Sequence, residues 1–299
     1  MLQRKTTMST PIQKVVIVGA GTMGSGIAMV AAATGHYATL VDVSQEVLDK
    51  SRSGIEKNAA RIARKLFKGD PDSASGFVAE ALGRISYSTD LEQCVASTDL
   101  VIEAIVENMQ IKQDLFRRLD NIAPEHVIFA SNTSSLSIVE MGSVTKREDR
   151  FAGFHFFNPV PVMKLIEVIK TDKTSEDTHT RLMAFGRALG KTCITCKDTP
   201  GFIVNRLLFT LTSEALKMLE REDAEVRDID TAMKLGLGHP IGPFELMDMV
   251  GLDVTLNIMK EREARYPNDP AAKPSPTLVK MVAENKLGVK SGQGFYSYK

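Results

Sequence analysis

Two polar side chains interrupt apolar, strand-like segments in the middle of the chain. His155 lies in RFAGFHFFNPV, and Glu167 lies in KLIEVI. An ionised carboxylate in such a strand costs several kcal/mol unless a partner compensates it. The turn NPVPV would let the two segments run side by side, so His155 is the nearest partner. A paired imidazole and carboxylate can move protons, but a buried structural histidine and a Glu167 that faces water from an edge strand fit the same pattern.

A second chemical signal is the glycine pattern of KVVIVGAGTMGSGIA. Gly19, Gly21 and Gly24 follow an apolar strand and open a small-residue helix. In this context the spacing predicts a dinucleotide site: the first glycine permits a tight turn, the second admits the pyrophosphate, and the third allows close helix–strand packing. Amides at the helix start would face the phosphates, so the intervening residues are candidate contacts too: Ala20, Thr22 and Met23. The alternative is that the glycines serve the turn alone.

Asp42 ends the next strand, at the spacing expected for an acid that binds the ribose hydroxyls of NAD. Val43 and Ser44 follow it, so no arginine stands ready to compensate a 2′-phosphate. The sequence therefore predicts NAD rather than NADP. The alternative is that Asp42 is only an acid at the start of the following helix.

Strands and helices alternate around these residues as far as KDTPGF. This order predicts a mostly parallel, doubly wound sheet covered by helices, which is an α/β, Rossmann-like dinucleotide-binding domain over residues 1–198. After Pro200 the strand signals largely disappear, and FIVNRLLFTLTSEALKMLERED has apolar residues at helical spacing. We therefore predict a smaller, mainly α-helical domain over residues 199–299.

The charge balance gives no reason to expect nucleic acid or an anionic membrane as a partner. Lys and Arg together number 37, as do Asp and Glu, so the formal net charge is zero. No apolar run is long enough to cross a bilayer, and we expect a soluble, intracellular protein without membrane insertion.

The amino-terminal segment MLQRKTTMSTP carries Arg4, Lys5 and four Ser/Thr residues but no acid. This composition is typical of a mitochondrial transit peptide, although the segment is short, and a frayed terminus fits it equally well. A mitochondrial matrix location is therefore an expectation, with the cytoplasm as the alternative.

The three cysteines, Cys94, Cys193 and Cys196, indicate a reducing compartment. The segment CITC has no second cysteine pair and no histidine at ligand spacing, so we predict no metal site, with a redox or metal role for CITC as the minor alternative.

Seven segments resemble, in order and spacing, the L-3-hydroxyacyl-CoA dehydrogenases of fatty-acid β-oxidation. They are GAGTMGSGIA, IVEN, SNTSSLSI, RFAGFHFFNPVPVMKLIEVI, KDTPGFIVNRLL, DIDTAMKLGLGHPIGPFELMDMVGLD and KSGQGFYSY. The likeness extends from about Lys14 to Lys299, and HFFNPVPVMKL and GHPIGPFELMD are long, specific strings. The resemblance implies NAD-dependent oxidation of L-3-hydroxyacyl-CoA to 3-ketoacyl-CoA, the third step of β-oxidation.

The resemblance also implies a catalytic set. His155 would be the general base that takes the proton of the C3 hydroxyl while hydride leaves the same carbon, and Glu167 would orient the imidazole. Ser134 and Asn205 match family residues that hydrogen-bond the substrate near the reacting carbon. Without the resemblance, Ser134 fits a helix N-cap before LSIVEMG, and Asn205 fits a surface helix residue.

Further positions match the family's NAD and CoA contacts. Those lining the NAD site are Glu107, Lys112, Ser134, Asn158 and Lys290. Those near CoA are Asn58, Lys65 and Ser134, with Asn58 standing where family members commonly have serine. A basic stripe at helical spacing would meet the CoA phosphates or form a solvated helix face: Lys57, Arg61, Lys65 and Lys68.

The resemblance implies a homodimer formed through the second domain, which would also help to bind the substrate. Two other functions remain as alternatives. One is a structural or regulatory NAD-binding protein that kept the fold, and the other is a dehydrogenase of free hydroxy acids. Acyl-chain preference depends on the depth of the cleft and is not predicted.

Overall fold

The computed structural model describes residues 11–268 and 272–298. The basic amino-terminal residues Arg4 and Lys5, on which the transit-peptide expectation depends, lie outside the described residues, as does Lys299. The chain divides into two compact units, residues 1–203 and 204–299. The division falls after residue 203, whereas the composition of the sequence placed it after residue 198.

An eight-stranded sheet forms the centre of the first unit. The strands are β1 (Lys14–Val18), β2 (Tyr37–Val41), β3 (Ile85–Ser88), β4 (Leu100–Glu103), β5 (Ile128–Ser131), β6 (Phe151–Phe156), β7 (Leu165–Lys170) and β8 (Thr192–Lys197). Their order is β3-β2-β1-β4-β5-β6-β7-β8, and every neighbouring pair is parallel except β6 and β7. The first six strands follow the doubly wound order of dinucleotide-binding folds.

Helices cover both faces of this sheet. They are α1 (Thr22–Ala33), α2 (Gln45–Leu66), α3 (Pro71–Gly83), α4 (Leu91–Val95), α5 (Met109–Ile122), α6 (Ile138–Gly142) and α7 (Glu176–Ala188). Alternate residues of β1 pack into two separate hydrophobic clusters, Ile17 into one and Val16 and Val18 into the other. A strand buried on both faces reads as a continuous apolar run, and KVVIV is such a run.

The described part of the second unit is mainly helical. Its helices are α8 (Val204–Glu220), α9 (Val226–Leu237), α10 (Pro243–Val250), α11 (Leu252–Arg265) and α12 (Pro276–Ala283). The glycine-punctuated tail is held by Asp248, a fully buried carboxylate that accepts the backbone N–H groups of Phe295 and Tyr296 at 3.0 and 2.9 Å. The predicted fold class, a Rossmann-like α/β domain followed by a helical domain, is confirmed.

Within the described ranges, none of the helices combines the length and apolar character that crossing a membrane requires.

Candidate active site

His155 and Glu167 lie directly opposite each other on the antiparallel strands β6 and β7. Nδ1 of His155 is 2.8 Å from Oε2 of Glu167, and the two residues are 5% and 0% exposed. An ionised carboxylate only accepts hydrogen bonds, so Nδ1 carries a proton and, in a neutral ring, Nε2 keeps its lone pair. The pair therefore holds the imidazole in the tautomer that can accept a proton at Nε2.

Glu167 also anchors the chain just after the last strand of the sheet. Its other oxygen, Oε1, accepts the backbone N–H of Ile203 at 3.1 Å. The preceding residue, Phe202, has a φ of +49° and is 3% exposed, and its ring centroid lies 5.7 Å from that of His155. Phe157 flanks the imidazole at 4.5 Å. Aromatic rings and buried carboxylate oxygens thus fix the imidazole in a largely dry environment, where its hydrogen bond is strengthened.

The glycine loop between β1 and α1 has the shape that a pyrophosphate requires. Gly19 has a φ of +106°, and an added Cβ would lie 2.5 Å from the carbonyl oxygen of Ala104. A Cβ on Gly24 would lie 1.8 Å from the carbonyl oxygen of Gly19, whereas one on Gly21 would meet no atom within 4 Å. Gly21 is the N-cap of α1, with no side-chain cap. The loop is therefore closely packed at Gly19 and Gly24 and open at Gly21, next to the amides at the start of α1. The dinucleotide fingerprint requires both features.

Asp42 follows β2 and ties the glycine loop to that strand. Its Oδ2 accepts the N–H of Ala20 at 2.8 Å, and its Oδ1 accepts the N–H of Ser44 at 3.1 Å. The N-cap of α2 is Ser44, whose hydroxyl accepts the N–H of Val47. Asp42 therefore does not cap α2 and lies instead beside the loop, where a ribose-binding acid is expected.

Ser134 lies in the loop after β5, and Glu107, in the loop after the neighbouring strand β4, holds it in place. Oε1 of Glu107 accepts hydrogen bonds from the Thr133 hydroxyl at 2.5 Å, the Ser134 N–H at 3.0 Å and the Ser135 hydroxyl at 3.2 Å. The N-cap of α6 is Ser137, so Ser134 does not have the capping role that its position also suggested.

Lys112 is 1% exposed, although it was predicted to line the NAD site. Its Nζ lies 2.6 Å from Oε1 of Glu103 and 3.0 Å from Oε2 of Glu107. The buried ammonium group is therefore paired with two carboxylates. Of these three residues, only Glu107 is partly exposed. Glu103 was not among the predicted residues, and it lies fully buried against Lys112. The signal that could have found it is an acid directly after the apolar run LVI, as for Glu167.

The remaining predicted residues are distributed over both units. Asn158 follows β6, whereas Asn205 lies in the first turn of α8 in the second unit. Lys290, also in the second unit, forms an ion pair with Asp253. On α2 the residues predicted to lie near CoA are all exposed, namely Lys57, Asn58, Arg61 and Lys65. Lys68 lies beyond the end of that helix, so only part of the predicted stripe is helical.

Cys193 and Cys196 on β8 are free thiols. Burial, with the charges of Glu167 and Asp198, raises the pKa of Cys196 to about 12, so its reactive thiolate is scarce at neutral pH. Among the residues that the structure describes, no group of histidine, cysteine and acid side chains is arranged to hold a metal ion.

Two family models match the chain over almost its whole length. The NAD binding domain of 3-hydroxyacyl-CoA dehydrogenase matches residues 14–199, and the C-terminal domain of the same family matches residues 201–298. The chain belongs to the 3-hydroxyacyl-CoA dehydrogenase family. Its first unit is thus the NAD-binding domain of a dehydrogenase, which confirms NAD as the predicted cofactor.

Named relatives of this dehydrogenase family span animals and bacteria. The chain is 55% identical to the mitochondrial hydroxyacyl-coenzyme A dehydrogenase of Homo sapiens, over 96% of this chain and 92% of the relative. It is 44% identical to a probable 3-hydroxybutyryl-CoA dehydrogenase of Bacillus subtilis, over 96% and 98%. A crystal structure of the (S)-3-hydroxybutyryl-CoA dehydrogenase of Ralstonia eutropha superposes with a TM-score of 0.88 at 43% identity, covering 96% and 99%.

Replacing Gly24 by alanine is expected to weaken NADH binding to this 3-hydroxyacyl-CoA dehydrogenase about tenfold or more, because overpacking at the 1.8 Å approach costs about 1–3 kcal/mol and displaces Gly19. Fluorescence titration with NADH measures the affinity. Gly76→Ala on α3 is the matched control, since a Cβ there meets no atom within 4 Å. Equal NADH affinity in the Gly24 variant and the wild-type protein would contradict the packing role given to this glycine.

Proposed function

We propose that this dehydrogenase oxidises L-3-hydroxyacyl-CoA to 3-ketoacyl-CoA with NAD. The observation that carries the proposal is the 2.8 Å contact between His155 Nδ1 and Glu167 Oε2, in a chain that belongs to this family. A fold that only bound NAD would not require a buried imidazole with a carboxylate at its far nitrogen.

His155 acts as the general base. Its Nε2 takes the proton of the C3 hydroxyl, and bound NAD would supply the acceptor for the hydride that leaves the same carbon. Because Glu167 is a buried anion at Nδ1, it stabilises the imidazolium that forms. In the reverse direction the imidazolium returns the proton to the developing alkoxide. Ser134 and Asn205 hydrogen-bond the substrate near the reacting carbon.

The cofactor is held by the glycine loop and by acids at the ends of the strands. The run Gly19–Gly24 takes the pyrophosphate, and Asp42 takes the ribose hydroxyls. Glu107, Asn158, Ser134 and Lys290 line the NAD site, and Lys112 acts through Glu107. The open space above Gly21 and the position of Asp42 beside Ala20 support this arrangement.

Asn58 and Lys65 on the exposed face of α2, together with Ser134, are proposed to contact the CoA part of the substrate. Three basic side chains on α2 are exposed and follow one another at intervals of four residues: Lys57, Arg61 and Lys65. This arrangement supports a phosphate-binding role for them.

Turnover with acetoacetyl-CoA and NADH tests the proposed activity directly. We expect the nicotinamide absorbance to fall with time, and free CoA to compete with the substrate. No absorbance change under conditions in which the protein is folded would overturn the proposal. Turnover of free hydroxy acids that does not respond to free CoA would instead identify a dehydrogenase of free acids.

Replacing Asp42 by asparagine is expected to lower the ratio of kcat/KM for NAD to kcat/KM for NADP about tenfold, or roughly 1.4 kcal/mol. Asparagine keeps an oxygen for the N–H of Ala20 but lacks the charge that repels a 2′-phosphate. Steady-state kinetics with both cofactors gives the ratio. The control is Asp49→Asn, an exposed acid on α2, and an unchanged ratio in the Asp42 variant would show that this carboxylate does not select the cofactor.

We further propose that the protein is a homodimer. Several large apolar side chains on the second unit are exposed, among them Leu207 at 66%, Leu235 at 83%, Leu237 at 70% and Met249 at 65%. Exposed apolar surface favours protein–protein contact where it forms a continuous patch. Sedimentation equilibrium at micromolar concentrations is expected to give the mass of two chains, and the mass of one chain would contradict the proposal.

A place in mitochondrial β-oxidation is also proposed. The support is the mitochondrial designation of the relatives from Homo sapiens, Sus scrofa and Rattus norvegicus, together with the basic, acid-free amino-terminal segment. Imaging of a carboxyl-terminal fluorescent fusion should show mitochondrial signal, and deletion of residues 1–10 should move it to the cytoplasm. A full-length fusion that stays in the cytoplasm would contradict this location.

A further inference from the structure

Glu103, at the carboxyl end of β4, is a fully buried carboxylate. Its Oε1 accepts the Lys112 ammonium at 2.6 Å and the Ile105 N–H at 2.7 Å, and its Oε2 accepts the Ser131 hydroxyl at 2.5 Å. Burial raises the pKa of Glu103, and the charge of Lys112 opposes this rise. Glu103 thus joins three elements at the carboxyl end of the strands: β4, β5 and α5.

The contacts of Glu103 lead to the loop of residues 131–135 by two routes. In the first, the hydroxyl of Ser131 donates to Glu103 and accepts the N–H of Thr133 at 3.1 Å. In the second, Lys112 bridges Glu103 to Glu107, which accepts the Ser134 N–H at 3.0 Å. The first route ends at the residue before Ser134, and the second ends at the backbone N–H of Ser134 itself.

We propose that Glu103 is a positioning residue, which acts through Ser131 and through Lys112 and Glu107 to fix the loop that carries Ser134. The inference rests on the proposed function, in which Ser134 hydrogen-bonds the substrate. A displacement of such a group by about 1 Å is enough to cost a large factor in rate, so the loop must be held firmly.

A buried ion pair such as Glu103–Lys112 is weak evidence for a role in stability. Replacing a buried ion pair by uncharged residues of similar volume is often neutral for folding, whereas removing one partner leaves an uncompensated charge. The double variant Glu103→Gln/Lys112→Met therefore separates the two roles, because it removes both charges together. Glu107 then loses the cation that holds it at 3.0 Å.

The test is a mutant cycle with Ser134→Ala. Values of kcat and KM for acetoacetyl-CoA are measured at saturating NADH for the Glu103→Gln/Lys112→Met variant, in the wild-type and the Ser134→Ala backgrounds. We expect kcat/KM to fall about tenfold or more in the wild-type background and less than about twofold in the Ser134→Ala background. Once the Ser134 hydroxyl is absent, displacement of the loop has little further effect on kcat/KM.

The Ser131→Ala variant is a second test, and it leaves the charges of Glu103 and Lys112 in place. It removes the direct link from Glu103 to the loop, and we expect a severalfold loss of kcat/KM that also disappears in the Ser134→Ala background. This variant decides the question if the charge variant does not fold. The matched control is Glu92→Gln/Arg118→Met, an exposed ion pair at 3.4 Å, which should leave both kinetic constants unchanged.

An equal loss of kcat/KM in the wild-type and Ser134→Ala backgrounds, or no loss in either, would overturn the positioning role of Glu103. Failure of the proposed function is a separate result, since the wild-type protein itself would then not turn over acetoacetyl-CoA.

Discussion

Replacing His155 by glutamine is expected to lower kcat roughly a hundredfold or more, the usual contribution of a general base, while NADH binds as it does to the wild-type protein. Glutamine fills a similar volume but does not exchange a proton near neutral pH. The glycine loop lies between β1 and α1, whereas His155 lies on β6, so the substitution leaves the pyrophosphate site intact. Stopped-flow kinetics and NADH titration measure the two quantities separately.

The matched control for this prediction is His179→Gln. His179 lies on α7, where Nε2 is 2.8 Å from the Thr195 hydroxyl, and belongs to none of the proposed site sets. This control should turn over like the wild-type protein. Near-normal turnover in the His155 variant would exclude His155 as the base, and loss of NADH binding would mean that the substitution disturbs the cofactor site.

Replacing Glu167 by glutamine is expected to lower kcat roughly a hundredfold as well, for a different reason. The amide can turn its NH2 group toward Nδ1 of His155, which then becomes an acceptor, and the ring proton moves to Nε2. An imidazole in that tautomer cannot take the substrate proton, as the large loss for the corresponding substitution in hydrolase triads illustrates. The amide also removes the negative charge that stabilises the imidazolium.

Two measurements distinguish this effect from unfolding. Urea denaturation should show a folded variant, because the amide keeps an acceptor for the backbone N–H of Ile203. Glu176→Gln, a change at an exposed acid paired with Lys170, is the matched control and should keep full activity. A folded Glu167 variant with wild-type kcat would contradict the proposed orienting role.

Combining the two substitutions tests whether the residues act as one unit. If Glu167 works only through His155, the double variant should be no slower than His155→Gln alone, because groups that act together are strongly non-additive. If the double variant instead lost kcat by the product of the two single-variant factors, Glu167 would have an independent part in the reaction.

The sequence predicted those parts of the fold whose signals are local. The strand–glycine–helix pattern at Gly19–Gly24 and the acid at Asp42 need only neighbouring residues to be recognised. Four elements were not predicted, namely α3, β3, α4 and α12. In β3 only Ile85 of ISYS is buried, so the apolar signal is weak. For α3 a signal existed, since Asp70 caps the helix and Pro71 is its first residue.

Contacts between residues distant in sequence were harder to predict. Glu107 and Lys112 were assigned to the NAD site, yet the burial of Lys112 and its bond to Glu103 follow only from the packing of α5 against the carboxyl end of β4. Ser131 reaches Glu103 from 28 residues away. A carboxylate between apolar neighbours signals that a partner is needed but does not identify it.

The sequence by itself determined the cofactor class and, through the seven matching segments, the family, because these depend on residue types in fixed local order. For Glu167 it left two possibilities, a buried carboxylate paired with His155 or an edge-strand residue that faces water. Only the tertiary structure decided that β6 and β7 are antiparallel and in register, which brings Nδ1 of His155 to 2.8 Å from Glu167 across 12 residues of chain. A register shift of one residue would turn the two side chains to opposite faces of the sheet, so the geometry of the pair belongs to the sheet as a whole.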